Sequence, residues 1–479
     1  MAVATDSKVH RVQAELDKLT SAEGIERVPG ISMCILDGDE VHELVSGVAN
    51  QRSGVPVKPE TVFRIASITK LYTATLVMQL VDQGKVELDR SVVEQLPEFR
   101  LASPEDTATV TPRHLLTHTS GISGDLSFKT GRGDDAVQKW MARLAETKPL
   151  FSPGVTHSYS NAGYNVLGRL VEYILGTTWD DALQETIVAP LGLTETVTLP
   201  EDVLPKLYAL GNRTDVEKGE LKPIESWDAD RGSGPCGEIT ASARDLIAFA
   251  RMHLDRGRVE GKSPETSLLS PEVAASMLVP QVKLPRYGLA ECWGLGFEIF
   301  STGERVIAGH GGNFDAQTSS LYIIPDRHAA VVLLTNSDLG SRRVEGLRER
   351  VLAEWFGVRL PQHLEAPETE PDVPVEPYLG AYDRGDMVLD VARRDGQLTL
   401  TITSLQGRTA EEGPHSYALA PCPEEGVFVA TIPGVPRGMP VVFERWGDGR
   451  LYLHAGGRST PRAETSTSTD RSVLDTVVE

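Results

Sequence analysis

Gly30-Ile-Ser-Met-Cys-Ile-Leu-Asp-Gly-Asp39 is an apolar run that enters a turn at Asp37-Gly38. Val41–Val48 follows as its return strand, so the stretch reads as a β-hairpin. What surrounds the hairpin decides the fold class. Before it, Val9, Val12, Leu16 and Leu19 recur at helical spacing within Asp6–Leu19, which predicts an opening amphipathic helix. After it, the apolar spacing turns helical from Ser67 to Val81, and Gly84 ends the run. Further helices are expected at Thr111–His118, Asp134–Ala145, Tyr164–Leu175 and Ala241–Leu254. Three strands are expected between Trp293 and Thr335: Gly294–Phe300, Gln317–Ile324 and Ala329–Leu334, the last two joined by a turn at Pro325-Asp-Arg-His328. A helix at Arg342–Trp355 closes the region. An N-terminal strand pair can complete one sheet with C-terminal strands while the helices cover it. The pattern is α+β and not a βαβ repeat.

The chain has 479 residues, enough for several domains at ~100–200 residues each. Hydrophobic residues make up 40% and charged residues 24%, a globular balance that excludes a mostly disordered or fibrous protein. Lys plus Arg is 47 against 68 for Asp plus Glu, a net charge of −21. Such a surface repels phosphate backbones and anionic lipid, so no nucleic acid and no membrane is expected as a partner. Cys34, Cys236, Cys292 and Cys422 form no C-x-x-C pattern and read as reduced thiols, and no metal or other cofactor is expected. The first ten residues lack a basic start followed by an apolar core, and no apolar run approaches the ~18 residues of a membrane span. The expectation is a cytoplasmic protein. The sequence does not specify an oligomeric state.

Composition changes at Leu364–Pro377, which is rich in Pro and Glu and reads as a stiff, extended linker between a domain at 1–363 and another at 378–462. Short alternating segments follow at Met387–Ala392, Gln397–Thr403, Val427–Ile432, Pro440–Arg445 and Arg450–His454, which suggests a small antiparallel barrel. Ala463–Glu479 is polar and patternless and is expected to be a disordered tail.

Three stretches carry candidate chemistry. In Phe63-Arg-Ile-Ala-Ser67-Ile-Thr-Lys70, Ser67 begins the helical run and Lys70 lies three residues on, on the same face. An ammonium beside a serine hydroxyl at a positive helix end favours the alkoxide. Alone, the pair is explained as well by an N-capped helix with a solvated lysine. Tyr159-Ser160-Asn161 stands at a loop-to-helix junction after the turn Pro153-Gly154. A tyrosine held there among cations can serve as a base, although a packing tyrosine is the simpler reading in isolation. In Gly309-His310-Gly311-Gly312-Asn313, glycines let a ligand approach the backbone just before a strand; a Gly-rich turn with an incidental histidine is the alternative. His114 and His118 mimic a metal pair but have no third ligand in sight, and structural roles are expected for both.

In order, Ser-x-x-Lys, Tyr-Ser-Asn and His-Gly-Gly resemble the serine hydrolase family of class C β-lactamases, D-alanyl-D-alanine peptidases and related esterases. Leu-Thr-His118-Thr-Ser-Gly-Ile and the Gly-rich segment Gly232–Gly237 add to the likeness, which covers roughly Asp6 to Gly357. The resemblance implies a β-lactamase/penicillin-binding-protein-like fold with helices around an antiparallel sheet. It implies that Ser67 attacks an acyl carbonyl, that Lys70 and Tyr159 move its proton, and that Asn161 bonds the substrate amide or the lysine. His310 replaces the more common lysine, which points away from antibiotic hydrolysis and towards esterase, aminopeptidase and cyclase branches; the full catalytic set and the lack of a membrane segment argue against a penicillin sensor. Backbone N–H groups of Ser67 and Asn313 would form the oxyanion hole, and Gly311 and Gly312 would line the substrate site.

The layout with a small lipocalin-like barrel looks like the penicillin-binding-protein-type thioesterases, which release nonribosomal peptides by head-to-tail cyclisation. The implied substrate is a peptidyl thioester, with a carrier-protein domain as a candidate partner. A barrel arginine would read a carboxylate, with Arg458 as first candidate and Arg450 and Arg445 behind it. The alternative is a D-amino-acid peptidase or carboxylesterase acting on a small acyl or peptide substrate, with water in place of the amine.

Overall fold

The computed structural model describes residues 2–126, 128–227, 230–263, 266–303, 305–361, 364–405, 413–432 and 438–463. The chain divides into two compact units, one of Met1–Leu284 with Leu289–Gln362 and one of Pro285–Gly288 with His363–Glu479. No described helix is long and apolar enough to cross a membrane. The tail expected to be disordered lies, apart from Ala463, outside the described residues.

The first unit is built on an antiparallel sheet of nine strands among the described residues. In chain order these are β1 (Gly30–Asp37), β2 (Glu40–Asn50), β3 (Val55–Pro56), β4 (Val282–Lys283), β5 (Cys292–Trp293), β6 (Glu298–Thr302), β7 (Arg305–Phe314), β8 (Gln317–Ile324) and β9 (Ala329–Thr335). The spatial order is β3-β2-β1-β9-β8-β7-β6-β5-β4. The N-terminal hairpin does complete the C-terminal strands: β1 pairs with β9 from Ile31↔Thr335 to Asp37↔Ala329.

Side chains on a strand alternate between faces, and here both faces are covered. Ile31, Met33 and Ile35 join Ala329, Val331 and Leu333 in one core. Against it pack α1 (Ala2–Ser21) through Val12 and Leu16, and α5 (Gly340–Phe356) through Val344, Leu347 and Val351. Cys34 and Leu36 join Ala330, Val332 and Leu334 in the other. That side carries α2 (Thr69–Asp82), α3 (Asn161–Leu175) and α4 (Ala243–Leu254). Burial on both faces explains why these strands read as continuous apolar runs. At the start of α3, the Gly163 N–H donates to the Ser160 side chain at 3.1 Å, a cap typically worth about 1 kcal/mol.

One expectation needs correction. Gly309–Asn313 is neither only a stretch just before a strand nor the alternative Gly-rich turn, but lies within a strand of its own, β7, that the three expected strands left out. The glycines there serve close packing. A Cβ on Gly309 would stand 2.2 Å from the Leu321 carbonyl oxygen, and one on Gly312 would stand 2.3 Å from that of Ile65. Glycine has low strand propensity, so the composition hid the strand. The strand expected at Gly294–Phe300 begins only at Glu298.

The second unit is an eight-stranded antiparallel barrel, nearly closed, with its strands in sequence order among the described residues. They are β10 (Gly380–Asp383), β11 (Met387–Arg394), β12 (Gln397–Ser404), β13 (His415–Pro421), β14 (Val427–Thr431), β15 (Met439–Arg445), β16 (Leu451–Ala455) and β17 (Arg458–Pro461). A bridge between Tyr382 and Arg462 joins the two ends. Tyr382, Leu400, Phe428, Phe443 and Leu453 fill the interior. Val375 belongs to this core and Leu364 packs on a smaller cluster of the same unit. The Pro/Glu-rich stretch is therefore anchored to the barrel at both of its ends.

Candidate active site

Phe63–Arg64 pairs with Thr240–Ala241, and the chain then enters a single 3₁₀ turn at Ala66–Ile68 that runs into α2. Ser67 sits in that turn, not in the α-helix proper. The preceding residue, Ala66, has φ of 49°, a left-handed value that costs energy in a residue with a Cβ. The strain is held by neighbours. Ser319 Oγ donates to the Ile65 carbonyl at 2.7 Å, and Gly312 of β7 lies against Ile65 and Ala66. The third motif thus packs directly on the nucleophile turn.

Lys70 stands one turn beyond Ser67 and is fully buried. Its Nζ lies 3.2 Å from Ser67 Oγ and donates to the Cys236 carbonyl at 2.6 Å. It also sits 5.0 Å from the centre of the Tyr159 ring. Cys236 belongs to the Gly-rich segment, which is pressed onto α3. A Cβ on Gly168 would stand 2.2 Å from the Pro235 ring.

Tyr159 precedes the Ser160 cap of α3 and is buried among rings. Its neighbours are His118 at 4.4 Å, Trp293 at 5.8 Å and His310 at 5.9 Å between centroids. His118 Nδ1 accepts the Ser160 backbone N–H at 3.0 Å, so this histidine fixes the segment that carries Tyr159. His114 closes a capping box with Thr111. Both histidines therefore act on backbone groups.

His310 is buried, with Nδ1 2.6 Å from the Gly311 carbonyl oxygen. A carbonyl only accepts, so Nδ1 carries the proton and Nε2 the lone pair. Burial, helped by the Lys70 charge, pushes the imidazole pKa down to about 3. His310 is neutral at physiological pH.

Asn161 lies at the start of α3, where its Nδ2 donates to Asp125 Oδ1 at 3.0 Å. Ser67, Asn161 and Asn313 line one cavity of about 270 Å³, together with Asp125, Asn165, Asp230 and Glu238. Ser67, Lys70, Tyr159, Asn161, His310 and Asn313, which the sequence singles out, thus gather around one place. The barrel arginines belong to the second unit. Arg450 pairs with Asp448 at 2.7 Å, Arg458 donates to the Gly456 carbonyl at 3.1 Å, and Arg445 donates to that of Gly449 at 3.0 Å.

Sequence reading missed several residues. Arg64 is fully buried, pairs with Glu238 and, at 3.1 Å, with Asp315, and lies between the rings of Trp227 and Phe314. It ties the nucleophile segment to the hairpin Asp315–Ala316, where both residues have positive φ. Trp293, Asp125 and Asn165 were also missed. Asp125 and Trp293 come from separate stretches of chain without a local signal, whereas Asn165 lies one helical turn beyond Asn161, a spacing the sequence does show.

The family model described as Beta-lactamase matches residues 16–354. The chain is 36% identical over 361 residues to penicillin-binding protein 4 of Amycolatopsis lactamdurans, covering 74% of this chain and 93% of that protein. Its structure is similar to that of SurE, with a TM-score of 0.79 and 30% identity over 96% of this chain and 100% of SurE. The structure of SurE with D-Leu gives a TM-score of 0.75 at 28% identity, with the same coverage of 96% and 100%. With a model that spans most of its length and relatives that share its fold, the chain belongs to the beta-lactamase family of serine hydrolases.

Proposed function

We propose that this serine hydrolase is a cytoplasmic peptide cyclase of the penicillin-binding-protein-type thioesterase kind. The observation that carries the acyl-transfer part is the buried Lys70 Nζ, 3.2 Å from Ser67 Oγ and beneath the Tyr159 ring. The barrel unit and the likeness to SurE, solved with D-Leu, support a peptidyl donor that ends in a D-residue.

Ser67 Oγ would attack the thioester carbonyl as its proton passes to the Lys70–Tyr159 pair. Backbone N–H groups of Ser67 and Asn313 would hold the oxyanion, each such donor being worth ~3–4 kcal/mol in related chemistry. The intermediate collapses, the C–S bond breaks, and the pair returns the proton to the leaving thiol. The peptide's own amine then attacks acyl-Ser67, giving its proton to the same pair. The C–N bond forms, the ester C–O bond breaks, and Ser67 regains its proton. Water at about 55 M in bulk competes, but an amine held in line reaches an effective molarity of ~10⁵ M or more.

The test is a peptidyl thioester mimic with a C-terminal D-residue and a free N-terminus. The expected product is the macrolactam, lighter than the linear acid by one water. If only linear acid forms while simple esters or D-aminoacyl amides turn over rapidly, the protein is a D-peptidase or carboxylesterase on the same site.

A further inference from the structure

Arg64 lies three residues before Ser67, and its side chain is fully buried. A guanidinium keeps its charge, and a buried ion pair is weak evidence for stability, so its presence here calls for another reason. The partners supply one. Arg64 Nη1 donates to Asp315 at 3.1 Å, and the Asp315 side chain is only 5% exposed. The Arg64 backbone N–H donates to Gln317 Oε1 at 3.1 Å. Asp315 and Ala316 form the turn between β7 and β8, across which Phe314 pairs with Gln317. One arginine thus holds this turn by its side chain and by its backbone. The turn needs holding. Asp315 has φ of 48° and Ala316 of 60°. Two left-handed residues in a two-residue hairpin suit Asn-Gly, and this chain has Asp-Ala.

Backbone strain therefore brackets both N–H groups proposed for the oxyanion. Ala66, at 49°, immediately precedes Ser67, and Asp315 comes two residues after Asn313. The Arg64–Asp315 pair connects the two brackets. Trp227 and Phe314 cover the guanidinium, with ring centres at 4.8 and 4.3 Å. Arg64 also pairs with Glu238, two residues past Cys236, whose carbonyl holds Lys70. We propose that Arg64 is a positioning residue of the oxyanion hole: its ion pair with Asp315 fixes the turn end of β7 against the nucleophile turn and so sets the separation of the Ser67 and Asn313 N–H groups. This inference rests on the acyl-transfer reading of the same site. Such donors act only within about 2.7–3.1 Å of the oxyanion, so a loosened pair weakens acylation while Ser67 and Lys70 stay unchanged.

The test compares an activated ester with its thiono counterpart, in which sulfur replaces the carbonyl oxygen, on the full-length protein. Sulfur is larger and a weaker acceptor, so a well-set pair of N–H donors discriminates against it. The kcat/KM ratio of oxygen ester to thiono ester should exceed the ratio of their rates with hydroxide by about tenfold or more. Asp315→Asn removes the charge and keeps a side chain that tolerates the left-handed backbone. It should lower kcat/KM for the oxygen ester about tenfold and pull the ratio towards that of hydroxide, and Arg64→Met should do so further. A fall by the same factor for both esters, with the ratio unchanged, would make the pair merely structural and overturn the proposal. If Arg64→Met does not fold, Asp315→Asn decides by the same ratio. A parent protein no more selective than hydroxide, with a fluorophosphonate still labelling Ser67, sinks the clamp alone. No turnover of either ester, with no label on Ser67, sinks the acyl-transfer reading and the clamp with it.

Discussion

The Lys70 ammonium faces two oxygens, the Ser67 hydroxyl that it can activate and the Cys236 carbonyl that only holds it in place. Replacing Lys70 by Met keeps the bulk and removes both contacts. We expect kcat/KM for an activated ester to fall 10²–10⁴-fold, about the range for losing a general acid–base group. Tyr159→Phe should fall in the same range, and equal activity in either variant would remove that residue from the proton path. His310 behaves differently. Its pKa is pushed down to about 3 by burial and then by Lys70, so it does not titrate between pH 5 and 8. His310→Asn should lower the pH–rate profile of kcat/KM without moving its acid limb. A limb near pH 6.5 that disappears in this variant would show that the histidine is the titrating group. The Ser67, Lys70 and His310 motifs are legible in sequence because each is a short string. Asp125 and Trp293 are not, since only folding brings them together, whereas Asn165, one helical turn beyond Asn161, could have been read from helix spacing.

At the scale of elements, β7 decides the site. Gly312 leaves no room for a side chain, since a Cβ would stand 2.3 Å from both the Ile65 carbonyl oxygen and Ser319 Oγ. The carbonyl is backbone and cannot swing away. Gly312→Ala should therefore lift β7 from the nucleophile turn, cost ~1–3 kcal/mol as overpacking does, and reduce acylation of Ser67 more than tenfold. Normal activity and melting temperature would mean that the contact relaxes freely. Beside it, Glu298 of β6 is buried and its pKa is raised to about 8 by desolvation, against the pull of the Gly311 backbone N–H and Arg348 of α5. The Tyr322 phenol of β8 is pushed up by its own burial and, once Glu298 ionises, by that charge as well. The folded state keeps this carboxyl protonated, so its contribution is fully present below the unfolded pKa of about 4.3 and is lost as pH rises through 8. Glu298→Gln stays neutral. Its melting temperature should gain on that of the parent from pH 5 to pH 9, and a difference independent of pH would refute the assignment. The hairpin and the apolar runs of β8 and β9 are legible because burial on both faces writes itself as composition. β7 is not, because its glycines answer to packing with Leu321 and Ile65 rather than to strand propensity.

At the scale of the whole molecule, each unit has its own interior. The first holds two cores on either side of its sheet, and the barrel has one around Tyr382, Phe428 and Phe443. A compact body with its own core can fold alone. The place to cut is before Leu364, because that residue packs on a cluster of the barrel unit and would leave an apolar end if retained. The cut also strands Arg286, whose partners are Glu424 at 3.1 Å and Glu444 at 2.8 Å. Its side chain is 42% exposed, and exposed pairs of this kind add little to stability. The fragment 1–361 is therefore expected to melt in one cooperative transition and to take a fluorophosphonate on Ser67. All the residues placed around the cavity remain in it. If a barrel arginine takes part in substrate recognition, the same fragment should still cleave simple esters but lose selectivity for peptidyl thioesters ending in a D-residue. The two readouts separate the cases. An insoluble or unlabelled fragment would show that the first unit depends on the barrel for folding. A folded fragment with full D-residue selectivity would take Arg445, Arg450 and Arg458 out of substrate recognition and place that role on the first unit alone.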